Sequence, residues 1–137
     1  MQAKYTGGCL CGAIRYECSE APFFSGNCHC RDCQRTSGGA FAPAMMFPVN
    51  AVHVSGEPTY FDVKGDSGRR MTRGFCQTCG SQLFALLEAL PNALGIRAGT
   101  LDDPSLFSPT MDFYASSAAP WDVMNGELRK CARAPER

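Results

Sequence analysis

With 137 residues, 45% of them hydrophobic, the chain is long enough to bury one core and does not have the composition of a disordered protein. Thirteen basic and 13 acidic residues cancel, which removes the basic excess expected of a nucleic-acid or anionic-membrane binder. No segment reaches the roughly 18 consecutive apolar residues of a membrane span, and Met1 to Gly8 lacks the apolar stretch of a signal peptide, so the chain reads as soluble and cytoplasmic.

Short apolar runs bounded by glycine and proline predict a mainly β protein. Ala13 to Cys18 alternates, with Ile14, Tyr16 and Cys18 on one face and Arg15 and Glu17 on the other. Phe23 to Asn27 follows as a strand, then Arg31 to Ser37 as the one short helix, closed by Gly38 in the left-handed conformation. Further strands are expected at Phe41 to Phe47, Val52 to Ser55, Thr59 to Val63, Met71 to Phe75, Gln82 to Leu86, Leu94 to Ala98 and Met111 to Ala115. Asp102-Asp103-Pro104 reads as a turn or a helical start. Residues 1–125 form a single domain in this reading, and 126–137 a frayed polar tail.

Nine cysteines, an odd number without a secretion signal, argue against a disulfide framework. Seven fall in clusters, Cys9/Cys11, Cys28/Cys30/Cys33 and Cys76/Cys79, while Cys18 and Cys131 stand apart. Cys76-x-x-Cys79-Gly80 is a zinc-knuckle half-site. Two intervening residues let both sulfurs converge, and the glycine allows the positive φ that turns backbone N–H groups toward sulfur. Cys9-x-Cys11-Gly12 supplies a second pair, and together the four make a closed, structural site whose binding energy is folding energy.

Cys28-His29-Cys30-Arg31-Asp32-Cys33 offers only three sulfurs, the pattern of a reactive zinc with an open fourth position. Zinc with three thiolates keeps one net negative charge and is a weak Lewis acid toward water, yet it would deprotonate an incoming thiol. Cys28, Cys30 and Cys33 are therefore the candidate catalytic group. The competing reading is a second structural zinc completed by His29, Cys18 or an outside ligand, in a non-catalytic module for protein partners or metal buffering. Arg31, Arg35, Arg69, Arg70 and Arg73 lie near the clusters in sequence and are candidates to offset thiolate charge or hold a substrate carboxylate. His53 reads as an ordinary strand residue and Trp121 as a core or rim aromatic.

Gly8-Cys9-Leu10-Cys11-Gly12, Cys28-His29-Cys30-x-x-Cys33, Gly74-Phe75-Cys76-x-x-Cys79-Gly80-Ser81, Ala98-Gly99-Thr100-Leu101-Asp102-Asp103-Pro104 and Ala119-Pro120-Trp121 together resemble the glutathione-dependent formaldehyde-activating enzyme family. Centromere protein V shares that superfamily. The resemblance implies a β-tent fold of packed antiparallel sheets and two zinc ions per chain. Cys9, Cys11, Cys76 and Cys79 would hold the structural one, and Cys28, Cys30 and Cys33 the reactive one. It also implies a carbon–sulfur lyase reaction joining glutathione and formaldehyde to give S-(hydroxymethyl)glutathione, with the thiolate at the open zinc position attacking the aldehyde carbon. The expected partners are thus a small thiol and a small aldehyde, and exposed strand edges are compatible with a homodimer. The chain departs from the family pattern in being short, and in carrying Asp112 before Phe113-Tyr114 where many relatives are expected to have histidine.

Overall fold

A computed structural model describes residues 4–65 and 68–135. Among the described residues, eleven strands and one α-helix succeed one another. They are β1 (Tyr5–Gly8), β2 (Arg15–Cys18), β3 (Phe24–Cys28), α1 (Arg31–Ser37), β4 (Ala42–Pro48), β5 (Val52–Ser55), β6 (Thr59–Lys64), β7 (Arg70–Phe75), β8 (Gln82–Leu87), β9 (Ala93–Arg97), β10 (Met111–Phe113) and β11 (Arg129–Lys130). They form a three-stranded sheet ordered β1-β2-β5 and an eight-stranded sheet ordered β11-β10-β3-β4-β9-β8-β7-β6. The mainly-β expectation holds, and every strand read from the sequence is present. Pairing is antiparallel except at β3-β10-β11, where it is parallel. Among the described residues, no helix is long and apolar enough to cross a membrane.

Two elements were invisible in the sequence. β1 ends in Gly7-Gly8, a poor strand signal. The glycine is needed for close approach, since a Cβ on Gly7 would lie 2.3 Å from both Thr100 O and Tyr16 Oη. β11 has only two residues, both cationic, so no alternation marks it. Arg129–Lys130 nevertheless pairs with β10, and Cys131 N–H donates to Asp112 O at 2.8 Å. The segment expected to fray is therefore anchored here, and the side chain of Cys131 is buried.

Register assigns the two faces of the large sheet different tasks. Residues opposite one another on paired strands share a face. Met45, Ile96 and Phe84 align across β4, β9 and β8, and with Phe47 and Leu94 they pack against Ile14, Tyr16 and Cys18 of the small sheet. The alternation read in β2 thus supplies one wall of the core. The other face carries Cys28, Ala42, Ala44, Gly95, Ala85, Arg97 and Arg73 in register. Small and cationic residues thus gather on this face, together with Met46, and α1 lies against it beside β4.

Candidate metal centres

Cys9 and Cys11 lie in the β1–β2 turn, and Cys76 and Cys79 in the β7–β8 turn, so residues far apart in sequence meet between the two sheets. Each turn closes on a left-handed glycine, Gly12 at φ 83° and Gly80 at φ 78°. The Gly12 and Gly80 N–H groups donate to the carbonyls of Cys9 and Cys76 at 3.1 and 2.7 Å. The four sulfurs lie within 4.8 Å of one another. Cys9 to Cys11 and Cys11 to Cys76 are both 3.7 Å. Zinc–sulfur bonds of about 2.3 Å in a tetrahedron require sulfurs about 3.8 Å apart, so this donor set fits the ion. Backbone N–H groups of Ile14 and Cys79 point at the sulfurs of Cys9 and Cys76, at 3.3 and 3.5 Å. Ser81 Oγ accepts from Leu10 N–H at 3.1 Å and lies 3.2 Å from Cys79 Sγ. Its hydrogen bond, with backbone N–H groups of Cys11 and Ser81, lowers the Cys79 thiol to about 5.

The second cluster is built by the end of β3 and the start of α1. Cys28 closes the strand, Cys30 is the helix N-cap, and its Sγ accepts from Cys33 N–H at 3.3 Å. Gly38 caps the other end at φ 72°, as the sequence predicts. Cys28, Cys30 and Cys33 bring their sulfurs within 4.8 Å, and among the described residues no further cysteine, histidine or carboxylate joins them. His29 turns away: its Nε2 is 2.8 Å from Asp112 Oδ1 and its Nδ1 is 3.4 Å from Asp122 Oδ2. Cys18 belongs to the core between the sheets. The three thiols hold their protons unequally. Hydrogen bonds with Cys30 and Cys33 push the Cys28 thiol strongly upward. Donation from Cys28 and Cys30, aided by the charges of Arg97 and Arg73, holds the Cys33 thiol down to about 2. All three can ionise together only beside a cation, so this set too has the chemistry of a metal site.

A cleft of about 310 Å³ opens onto Cys28 and Cys30. Arg31, Arg69, Arg70 and Arg73 line it, as do Phe113 and Tyr114. Tyr114 is the one non-glycine with positive φ among the described residues, at 52°, and it turns the chain out of β10 along the cleft. The concentration of guanidinium groups suits an anionic ligand. Arg35 instead sits exposed in the last turn of α1, and Trp121, 68% exposed, does not line the cleft. His53 is an exposed residue of β5, as expected.

Residues 4–117 match the sequence profile of a family described as glutathione-dependent formaldehyde-activating enzyme. The chain belongs to that family. In fold it is similar to the crystal structure of a Rhodobacter sphaeroides protein, a structural genomics target, with a TM-score of 0.57 and 23% identity over 71% of this chain and 87% of that one. Family membership supports glutathione-dependent formaldehyde activation in general terms, and both cysteine clusters are compatible with zinc.

Two residues beside the cluster escaped the sequence reading. Arg97, distant from every cysteine in sequence, is brought by β9 into the field of Cys33. Burial lowers its pKa, and the thiolates oppose that shift. Gln34 Nε2 donates to the carbonyls of His29 and Ser117, at 2.8 and 2.9 Å, and so fastens the helix to the segment after β10. The β-alternation that puts Arg97 on the cleft side was present in the sequence; the strand partner that orients it was not.

Proposed function

We propose that the chain is a carbon–sulfur lyase of the S-(hydroxymethyl)glutathione synthase type, working in the cytoplasm, where free thiols stay reduced. The observation that carries this reading is the convergence of three sulfurs, Cys28, Cys30 and Cys33, of which Cys28 and Cys30 line a cleft that Arg31, Arg69, Arg70 and Arg73 also line. Zinc held by those sulfurs would supply the positive charge that keeps an incoming thiol ionised at neutral pH. Arg31, Arg69 and Arg70 line the cleft and would hold the carboxylates of glutathione, leaving its sulfur directed at the cysteine cluster. In the addition, the sulfur forms a bond to the aldehyde carbon, the C=O π bond breaks, and the thiol proton ends on the new hydroxyl. Nothing is oxidised or reduced. A second zinc at Cys9, Cys11, Cys76 and Cys79 has a purely structural role here, joining the two sheets.

The test is formaldehyde loss in the presence of glutathione, comparing the wild-type protein with Cys30→Ser. The variant is expected to fall to the uncatalysed rate while keeping the wild-type melting behaviour. Equal rates in the two proteins would reject the formaldehyde activity.

A further inference from the structure

We infer that Arg73 is the resident counter-cation of the Cys28/Cys30/Cys33 cluster and biases its fourth position toward an anionic sulfur ligand over a neutral one. This rests on the reading of those three cysteines as a metal site. Arg73 is 3% exposed. Its Nη1 and Nη2 both point at Cys33 Sγ, at 3.9 and 3.8 Å, and Nη1 also donates to Thr36 Oγ1 at 3.3 Å. Its Nε is buried without a hydrogen-bond partner. Among the described residues, no carboxylate forms an ion pair with it.

A guanidinium stays charged at any ordinary pH, and burying one without an anion is strongly unfavourable. Among the described residues, the group placed to supply that anion is the sulfur of Cys33. Three thiolates and one divalent ion leave a single negative charge, which Arg73 cancels. Arg97 adds a second positive charge. It stands on the same face of the sheet as Arg73, two residues along β9 from Gly95, which aligns with Arg73 through Ala85. Counting only the three cysteines, the divalent ion and the two arginines of this sheet face, one positive charge is left for a further anion to cancel. A thiolate cancels it; water or imidazole does not.

Arg73 could equally serve by gripping a substrate carboxylate, so the test uses a thiol without one. Wild-type and Arg73→Met proteins are loaded with Co²⁺, and 2-mercaptoethanol is titrated against the sulfur-to-cobalt absorption, with imidazole as the neutral comparison. Both proteins are expected to take two cobalt ions. Arg73→Met should bind 2-mercaptoethanol about tenfold or more weakly and imidazole within about twofold of wild type. Arg73→Lys, which keeps the charge, should retain the thiol preference, and it carries the test if the methionine variant does not fold. Two cobalt ions with equal thiol affinities in Arg73→Met and wild type, or a lost preference in Arg73→Lys, would overturn the inference alone. A single cobalt per wild-type chain would overturn the metal reading beneath it as well.

Discussion

Asp112 and His29 are partners: a carboxylate oxygen of one lies 2.8 Å from Nε2 of the other, and both side chains are withdrawn from solvent. Asp112 comes from β10 and His29 from the short connection between β3 and α1, so the contact spans the parallel pairing of those strands. Asn27 Nδ2 also donates to Asp112, at 3.2 Å, and Lys130 Nζ lies 2.9 Å from its second oxygen. Neighbouring side chains in an extended segment point to opposite sides. Holding the ring of His29 on one side fixes Cys28 and Cys30 on the other.

Asp112→Asn should therefore cost about 2–3 kcal/mol in urea unfolding, as expected when one member of a buried charged network is removed. It should also weaken metal binding at Cys28/Cys30/Cys33 more than at the four-cysteine site. Burial works to raise the Asp112 carboxyl, but hydrogen bonds from His29, Lys130 and Asn27 outweigh it, and the net shift is downward. A group whose folded pKa lies below its unfolded value of about 3.9 stabilises the fold above that value. The contribution is lost as pH falls through the folded pKa. The stability gap between the two proteins should be full at neutral pH and close below about pH 4. A gap independent of pH would show that the charge of Asp112 contributes nothing.

Cys76→Ser should lower the melting temperature much more than Cys33→Ser. Cys76 joins a turn of the large sheet to a turn of the small one, so losing its metal site opens the core between them. Cys33 belongs to one strand–helix junction that Gln34 also fastens. Thermal melts in the opposite order would mean that the two sites have exchanged roles. Chelator should reproduce the Cys76→Ser melt in the wild-type protein.

Arg70→Ala should raise KM for glutathione about three- to tenfold with little change in kcat, because an exposed cleft arginine contributes binding rather than chemistry. Its melting temperature should match that of the wild type. Steady-state kinetics would settle the matter, and an unchanged KM would remove Arg70 from the binding surface.

Two left-handed glycines should respond differently to alanine. Gly38 has φ 72° and open space where a Cβ would stand, so Gly38→Ala should cost only the backbone term, about 1–2 kcal/mol. Gly56 has φ 90°, and a Cβ there would lie 2.2 Å from Ala13 O. Gly56→Ala should be clearly the worse of the two in denaturant titrations, since the obstacle is backbone.

The strands that bury one face were readable from composition alone, because Val, Ile, Phe and Met recur there between turn residues. The helix was readable from its terminal glycine, Gly38; the N-cap role of Cys30 was not. Both sulfur groupings followed from spacing, since a two-residue gap and a glycine are local geometry. What depended on strand order was hidden. Arg97 sits on a run that reads as plain core, and only the adjacency of β9 to β4 and β8 turns it toward Cys33. Asp112 looked like a departure from pattern until β10 laid it beside β3. β11 could not be found, because a two-residue cationic strand owes its existence to backbone bonds and to the Lys130–Asp112 pair.

The parallel clasp of β11 on β10 bears on how the molecule is handled. Ala134 and Pro135, just beyond it, form part of the cleft wall. Trimming the chain back to residue 125 would strip Lys130 from Asp112 and remove Ala134 and Pro135 from that wall, so a shortened protein loses cleft lining together with the clasp.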